Sequence, residues 1–297
     1  DIIMKIETKV VVLGTGTPNA DPDRSGPCVA VIVGENSYLV DFGPGLVRRA
    51  AQAYRQGIDA LKVSNLKRAF LTHLHSDHSG GYSDLILSPW VLERNEPLKV
   101  FGPKGLNDMT THILAAYSAD INERIFGLEQ ANKEGIKVEV DEISPGEIYK
   151  DEFVTVEAIP VIHGSFESYA YKFKTPDKIV VISGDTSPCE NLINAAKDCD
   201  ILVHEVYYTQ GVHSRSPQWK KYHTSVHTSA IELGEIASKI KPNLLVMYHQ
   251  LYMIDTINGN DSELSNKIEE VEKEIMKEVR ENYKGNVISA KDLGVYE

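Results

Sequence analysis

Three histidines and an aspartate are crowded into one short segment, residues 71–81, which reads LTHLHSDHSGG. Zn²⁺ and similar divalent ions are bound in proteins by imidazole nitrogens and carboxylate oxygens. Because residues i and i+2 of an extended chain point to the same side, His73 and His75 can reach one ion together. Asp77 and His78 follow at the turn into a helix, where they can reach a second ion. The spacing therefore predicts two metal ions, a device that polarises phosphoryl oxygens and supplies hydroxide at neutral pH.

Each of these ions needs further ligands from distant parts of the chain. The chain offers His163 in IPVIHG, Asp185 in VVISGDT and His249 in LLVMYHQ. An isolated histidine in a loop is more often structural, but the HxHxDH cluster is hard to explain without a metal ion. Rigid scaffolds present their chemistry on loops at the ends of their strands. Polar side chains that directly follow apolar, strand-like runs are Asp41, His73, Asp185, His204 and His249.

The elements that must position these residues are strands and helices in alternation, with strands in the majority. Strand-like runs include TKVVVL and CVAVIV near the start and several short segments between 136 and 174. No low-complexity linker divides the chain, and no repeat of roughly 20–50 residues is visible. The pattern predicts sheets packed face to face with helices outside, in a single domain over residues 1–297. Helices are predicted near 46–56, 80–92 (kinked or interrupted at Pro89), 105–118, 190–197, 228–239 and 262–282.

The charge balance argues against a general affinity for polyanions. Of 297 residues, 31 are Lys or Arg and 43 are Asp or Glu, which gives a net charge of −12. This balance predicts a soluble protein without broad attraction to nucleic acid or anionic membranes. No apolar run approaches the ~18 residues that a transmembrane helix needs. A cytoplasmic location is expected, and a periplasmic or secreted one is the alternative if a signal peptide preceded Asp1.

Two other features have ordinary explanations. The three cysteines, Cys28, Cys189 and Cys199, are odd in number and lack CxxC spacing, so they predict buried apolar residues rather than disulfides or a thiolate zinc site. The GTGTP segment at 14–18 matches neither a P-loop nor a complete GxGxxG motif, and it predicts a tight turn.

Taken together, these motifs resemble the metallo-β-lactamase superfamily, and within it the ribonuclease Z branch and its arylsulfatase-like relatives. The resemblance covers most of residues 8 to 250 and implies a four-layer αββα sandwich, an α/β fold. It also favours a homodimer. The motifs that carry it are VVLGTGTP, LVDFGPG, FLTHLHSDHSGG, FGPKGL, VVISGDTSPCE, LVHEVYY and HTSA.

The resemblance implies a role for each candidate ligand. One ion would be held by His73, His75 and His163, the other by Asp77, His78 and His249, with Asp185 bridging the two. Asp77 would also orient or deprotonate the attacking water, and Asp41 would brace the ligand loop, as metal sites generally require. The two divalent ions are expected to be Zn²⁺, and Mn²⁺ and Fe are the alternatives.

A further pair of residues resembles a proton relay. HEVYY at 204–208 lacks the second histidine of an HExxH zinc site. In ribonuclease Z the corresponding His-Glu motif and a downstream His-Ser-Thr pass a proton to the leaving oxygen. Glu205 and His227 match those positions, and such a general acid is needed when the leaving group is a poor alkoxide. Residues that either line a substrate pocket or pack in the ordinary way are Arg24, Tyr207, Tyr208, Trp219 and Tyr222.

The prediction of the substrate depends on a segment of ribonuclease Z that this chain lacks. That family carries a long Gly/Pro-rich arm that grips tRNA, whereas YAYKFKTPDKIVVISGD leaves only a few residues between two strands. The sequence therefore favours hydrolysis of a small-molecule ester, either an aryl sulfate or a phosphodiester or related phosphoester. The alternative is tRNA 3′ processing of the ribonuclease Z type. A remote alternative is a non-catalytic scaffold that binds metal.

Overall fold

The computed structural model describes residues 5–256 and 258–297, whose strands form two seven-stranded sheets. The chain divides into two units, each built around one sheet. Unit 1 comprises Asp1–Gly14, Ser25–Ser144 and Asp292–Glu297, and unit 2 comprises Thr15–Arg24 and Pro145–Lys291. The single domain expected from the sequence stays a prediction.

The sheet of unit 1 is antiparallel on one side and parallel on the other. Its strands are β1 (Thr8–Gly14), β2 (Cys28–Val33), β3 (Asn36–Val40), β4 (Arg68–Phe70), β5 (Leu98–Gly102), β6 (Val138–Glu142) and β14 (Gly294–Tyr296). They lie in the order β14-β1-β2-β3-β4-β5-β6, and pairing is parallel from β3 onward. The CVAVIV run of β2 is buried at every position, which suits its β-branched side chains. The parallel strands β3 and β4 both end just before predicted site residues.

Helices cover one face of this sheet because their apolar residues recur at helical spacing. In α1, Leu46, Val47, Ala50 and Ala53 are buried, and they pack in one cluster with strand residues such as Leu39. Burying a leucine or valine side chain contributes about 1.5–3 kcal/mol. The helices are α1 (Leu46–Arg55), α2 (Ser76–Ser79), α3 (Tyr82–Val91), α4 (Leu106–Ala116) and α5 (Ser118–Phe126).

Helix α3 passes through Pro89 instead of ending there. The helix predicted at 80–92 is α3, which begins at Tyr82. It is not interrupted at the proline and runs on to Val91. Pro89 has no N–H for the carbonyl of Leu85, four residues earlier. The buried guanidinium of Arg94 donates to that oxygen at 2.9 Å and to the Ile86 oxygen at 2.7 Å. Arg94 therefore supplies hydrogen bonds at the turn where the proline withholds one, which explains why the helix continues.

The sheet of unit 2 is also antiparallel on one side and parallel on the other. Its strands are β7 (Gly146–Lys150), β8 (Thr155–Pro160), β9 (Tyr169–Lys174), β10 (Ile179–Ile182), β11 (Ile201–Tyr207), β12 (Leu244–Leu251) and β13 (Val287–Ser289). They lie in the order β13-β12-β11-β10-β9-β8-β7, and pairing is parallel from β10 to β13. Predicted site residues lie in the carboxyl-terminal half of these parallel strands or beyond their ends.

Helix α9 shows how the helices of unit 2 are begun and anchored. Ser229 and Glu232 form a reciprocal capping box at its start. Leu233, Ile236 and Ala237 then pack in one cluster with buried strand residues. The helices of unit 2 are α6 (Glu190–Ala196), α7 (Thr209–Val212), α8 (Pro217–Val226), α9 (Ala230–Ile240) and α10 (Asp261–Arg280). Helices α7 and α8 were not predicted. In α8 only Val226 is buried, so its sequence has no apolar stripe.

Two smaller predictions are confirmed. All three cysteines are buried. Only residues 175–178 join β9 to β10, where the Thr175 N–H donates to the Lys178 carbonyl at 2.9 Å, so this connection is a tight turn.

Within residues 5–256 and 258–297, none of the helices combines the length and the apolar character needed to span a bilayer.

Candidate metal centre

In unit 1, the loop after β4 brings His73 and His75 side by side. Nε2 of His73 lies 3.1 Å from Nδ1 of His75, and His73 is fully buried. Nδ1 of His73 lies 2.9 Å from the hydroxyl of Thr72, which itself donates to Asp41 at 2.9 Å. Because the hydroxyl hydrogen is used on Asp41, the hydroxyl accepts from His73 Nδ1–H. Nε2 of His73 is thereby left as the ring's electron-pair donor.

Asp77 and His78 lie in the short helix α2, and both are buried. Nε2 of His78 is 3.4 Å from a carboxylate oxygen of Asp77. On its other side, Nδ1 of His78 donates to Asp41 at 2.6 Å. The carboxylate of Asp41 also accepts from the Thr72 N–H at 2.7 Å, so one side chain holds both ends of the ligand loop. Burial raises the pKa of Asp41, although the hydrogen bonds from His78 and Thr72 oppose this shift.

Glycines let two loops of unit 1 approach closely enough for these contacts. A side chain at Gly43 would meet the Asp77 carbonyl at 2.6 Å, and one at Gly81 would meet the Gly43 carbonyl at 2.5 Å. The backbones are joined there by hydrogen bonds, from Phe42 N to His78 O and from Gly81 N to Phe42 O. The glycines of DFGPG and HSGG are therefore needed for close packing beside the site.

In unit 2, Asp185 stands between two histidines. One of its carboxylate oxygens, Oδ2, lies 3.8 Å from Nε2 of His163 and 3.5 Å from Nε2 of His249. All three side chains are buried. Nδ1 of His163 donates to the Val226 carbonyl at 2.8 Å, so its Nε2 is the electron-pair donor. Unit 2 therefore presents two imidazoles that face one carboxylate oxygen.

His249 reaches this position through a β-bulge. Along the β11–β12 pair, Glu205 is opposite Tyr248 and Val206 is opposite Gln250, so His249 is the extra residue. Its φ is +48°, in the left-handed region that residues other than glycine seldom occupy. Bulges re-aim a side chain next to functional sites, and such backbone strain concentrates there.

Glu205 and His227 form a buried pair beside Asp185. Nδ1 of His227 donates to Glu205 Oε1 at 2.8 Å, and the Thr186 N–H donates to the same oxygen at 2.8 Å. Ligand atoms of Asp185, Glu205 and His227 lie within 4.8 Å of one another. Burial raises the pKa of Glu205 well above its usual value, the Asp185 carboxylate raises it further, and His249 opposes the shift. The hydrogen bond between Glu205 and His227 is the contact that a proton relay requires.

The donor atoms present fit a zinc-type metal group. Nδ1 of His73, His78 and His163 is in each case held by a protein oxygen. This arrangement fixes the tautomer of a metal-binding histidine and turns Nε2 toward the ion. Buried carboxylate oxygens lie beside these rings in both units. Imidazole nitrogen with carboxylate oxygen is the usual donor set of zinc enzymes.

Two expected strand-end positions need correction. Asp41, His73 and Asp185 follow their strands as expected, but His204 lies inside β11 and His249 inside β12. The strands there continue beyond the histidine, to Tyr207 and Leu251, although the next residues, Glu205 and Gln250, are polar. Sequence reasoning also missed the supporting groups Thr72, Thr186 and the Val226 carbonyl. Only the spacing of Thr72 next to His73 offered a signal, since backbone groups have none.

The five residues left open as pocket or packing residues divide into two kinds. Arg24 donates to Thr15 and Gln250 and lies over the Tyr252 ring, 4.8 Å from its centroid. Tyr207 is buried in β11, and Tyr208 is half-buried. By contrast, Trp219 is 55% exposed and Tyr222 is 40% exposed, both on α8.

Comparison with known proteins gives one family match and clear sequence relatives. The family model of the anti-Pycsar protein Apyc1 matches residues 8–265. The ribonuclease Z of Mycobacterium bovis is 32% identical over 245 residues, which are 81% of this chain and 85% of that protein.

Solved structures are similar to this chain over nearly its whole length. YhfI of Bacillus subtilis, described as a metallo-β-lactamase fold protein, has a TM-score of 0.71 at 18% identity and covers 98% of this chain and 100% of its own. The short form of human tRNase Z has a TM-score of 0.69 at 18% identity, with 97% and 98% covered. These likenesses confirm the predicted fold, the αββα sandwich of the metallo-β-lactamases.

Proposed function

From the premise that the chain belongs to the family of the anti-Pycsar protein Apyc1, in the ribonuclease Z branch of the metallo-β-lactamase superfamily, we propose that it is a metal-dependent phosphodiesterase. Membership makes it a hydrolase of this fold, and the bond that it cleaves is the proposal. The observation that carries it is the Asp185 oxygen facing two imidazole Nε2 atoms, beside the Glu205–His227 pair.

The proposed ligand sets are those implied by the sequence resemblance. His73, His75 and His163 would hold one ion, His78, His249 and Asp77 the other, and Asp185 would serve both. Zn²⁺ suits these donors, and Mn²⁺ and Fe are the alternatives. When bound, the ions would supply hydroxide from water at neutral pH and offset the negative charge that develops on the phosphoryl oxygens.

The protein's own groups would position and move protons. Asp77 would accept a hydrogen bond from the attacking water and orient it toward phosphorus. Glu205 accepts Nδ1–H of His227 and would stabilise this ring in its doubly protonated form, whose Nε2–H would be given to the leaving oxygen. A ribose alkoxide is a poor leaving group and needs such an acid, whereas a phenolate does not. The relay is therefore expected to matter for nucleotide substrates and little for nitrophenyl esters.

The sequence relatives favour the phosphoester over the sulfate ester. Ribonuclease Z, by its name, cleaves RNA, whose backbone bonds are phosphodiesters. None of the relatives reported above is named as a sulfatase. The aryl sulfate part of the sequence prediction thus has no support from them, and the phosphodiester part does.

Between a nucleotide-sized substrate and tRNA, different observations favour different answers. The relatives' names favour RNA, including tRNA. Against this, β9 and β10 are joined by a tight turn without room for an arm, and the net charge is −12. Affinity for a polynucleotide rests on many Lys or Arg contacts to phosphates. We therefore propose a nucleotide-sized phosphodiester first and a precursor tRNA second.

A panel of substrates tests this proposal. Zinc- and manganese-loaded protein would be assayed on bis-p-nitrophenyl phosphate, p-nitrophenyl sulfate, a cyclic mononucleotide and a precursor tRNA. We expect cleavage of the two small phosphodiesters and loss of activity in Asp77→Ala. Bound metal, measured by mass spectrometry, is expected at two ions per chain. Faster cleavage of tRNA would favour the second candidate, and metal uptake without any hydrolysis would favour the scaffold.

Two further expectations stay predictions. A homodimer is expected from the family resemblance, and light scattering of the eluting protein would give its mass in solution. A cytoplasmic location is expected from the sequence, and fractionation of the source cells would test it.

A further inference from the structure

Helix α8 carries an exposed aromatic pair that the proposed chemistry does not use. Trp219 and Tyr222 lie three residues apart, on one face of the helix, and are 55% and 40% exposed. Their rings meet edge to face with centroids 5.6 Å apart. Large aromatic side chains are normally buried, so such a pair indicates a binding surface better than scattered apolar residues do.

The aromatic pair is continuous with the chemistry of unit 2. The Tyr222 ring lies 6.2 Å from the ring of His227, which in turn lies 5.8 Å from the ring of His249. The carbonyl of Val226, at the end of the same helix, holds Nδ1 of His163. A ligand group on Trp219 and Tyr222 would thus sit one ring away from the proposed general acid.

The segment of chain that contains α8 is basic in an acidic protein. Between Glu205 and Glu232 the chain contains no aspartate or glutamate, but it contains Arg215, Lys220 and Lys221. Both lysines are exposed. Against the net charge of −12, this stretch offers a local positive potential to an anion.

An aromatic face with cations beside it suits a base joined to a phosphate. Every nucleobase has a π-face that stacks on Trp or Tyr, and Lys or Arg attracts the neighbouring phosphate. His223 strengthens the platform because its ring stacks on Trp219 at 5.7 Å. Burial, together with the charges of His227 and Arg215, lowers the pKa of His223 to about 4, so the ring is neutral at pH 7.

We propose that Trp219 and Tyr222 form the platform on which the nucleobase of the substrate stacks, while its phosphodiester lies toward His227. This assignment rests on the proposed phosphodiesterase function and deepens it, because it names the residues that would hold the base of a nucleotide-sized substrate. Trp219 and Tyr222 are positioning residues, and no bond to them forms or breaks.

Tryptophan fluorescence tests the platform without any need for turnover. The chain has two tryptophans, and Trp90 is buried with its Nε1–H donated to the Asn132 carbonyl. Titration of the zinc-loaded protein with a nucleoside monophosphate is expected to quench emission, and Trp219→Phe should abolish that change. Absence of quenching in the unsubstituted protein would overturn the platform. Quenching by an oligoribonucleotide but not by the mononucleotide would overturn the assignment to a single base.

Two esters with the same leaving group give the kinetic test. For thymidine 5′-(p-nitrophenyl phosphate), Trp219→Ala and Tyr222→Ala are each expected to raise KM about ten-fold, the usual scale of one lost base stack. For methyl p-nitrophenyl phosphate, which has no base, KM and kcat should stay within about two-fold. Trp219→Phe should recover most of the loss. Equal losses on both esters would contradict base stacking.

Controls separate this inference from the proposed function. Phe126→Ala, an exposed aromatic of α5, is the matched substitution and should alter neither KM nor quenching. Trp219 is mostly exposed, so its loss should leave the thermal midpoint unchanged, and a large fall would indicate a structural role instead. If the unsubstituted protein hydrolyses neither ester but shows nucleotide quenching, the phosphodiesterase proposal fails and the platform stands.

Discussion

In unit 1 the four predicted metal ligands lie within six consecutive residues, 73 to 78, whereas in unit 2 the three are spread from residue 163 to residue 249. The groups that hold these predicted ligands in position differ in the same way. One buried carboxylate, Asp41, holds Thr72 and His78 in unit 1. In unit 2, support comes from backbone: the Val226 carbonyl on His163 and the bulge at His249. Unit 1 therefore concentrates its site in a few side chains, and unit 2 distributes it over the sheet.

The largest expected effect comes from Asp185, the residue that the two predicted histidine ligands of unit 2 face. Asp185→Asn removes the charge that faces His163 and His249, and we expect activity to fall by more than about 100-fold, beyond the usual cost of losing a group that only supports a ligand. Metal content per chain and turnover of a phosphodiester would be measured together. His112→Ala, an exposed histidine on α4, is the control. Full metal content with unchanged turnover would remove Asp185 from the site.

The next effect is on stability, and it tests how much of the packing of unit 1 depends on one side chain. Arg94 donates to the carbonyls of Leu66, Leu85, Ile86 and Gly135. Arg94→Met keeps the apolar stem but removes these four buried hydrogen bonds, including the donor to the Leu85 carbonyl that Pro89 does not supply, so we expect a loss of about 2–4 kcal/mol in the free energy of unfolding. Denaturant unfolding would measure it. Lys99→Met, on an exposed strand position, should cost under about 0.5 kcal/mol.

A paired substitution compares the two kinds of support directly. Asp41→Asn weakens the hydrogen bond to Nδ1 of His78 and should reduce metal affinity about 10–100-fold. Such carboxylate partners fix the orientation of a metal-binding histidine and make it more basic. Val226→Ala keeps the backbone carbonyl that accepts from His163. The metal affinity of this variant should therefore change by less than about three-fold. Competition with a chelator would give both affinities. Equal losses in the two variants would contradict the contrast between side-chain and backbone support.

The smallest effect is a pH dependence in unit 2. Burial lowers the pKa of His204 to about 4, so the ring stays neutral in the folded protein while the unfolded chain takes up a proton near pH 6.5. The unfolded state then binds more protons between these values, and stability falls as the pH is lowered from about 6.5 toward 4. His204→Gln should flatten this fall relative to the parent protein in denaturant unfolding across pH 4–7. Parallel curves for the two proteins would show that His204 does not titrate in this way.

The contrast between the units also explains what the sequence could reveal. The HxHxDH segment is local, so residue types and the i, i+2 rule were enough to find His73 and His75. Helix α1 was equally clear because residues 46–56 have a helical composition and are followed by Gly57, a residue that commonly ends helices. The bulge at His249 was not visible, since strand pairing decides it and the run LLVMYHQL looks like a regular strand.

Compensating contacts were invisible for the same reason. Pro89 indicated a break in α3, but Arg94, three residues beyond the end of the helix, supplies the Leu85 carbonyl with a donor. Helix α8 was missed because its aromatic residues face outward, and periodicity of buried residues is the main signal for a helix.

The tight turn at 175–178 makes the β9–β10 hairpin an attachment point for new chain. Closing a loop costs only about 0.6 kcal/mol more for each doubling of its length, so a long insertion there would cost the folded protein little. The strands on either side are already paired through six residue pairs of β8 and β9 and four of β9 and β10. An arm grafted onto the hairpin is therefore expected to leave the pairing of these strands unaltered.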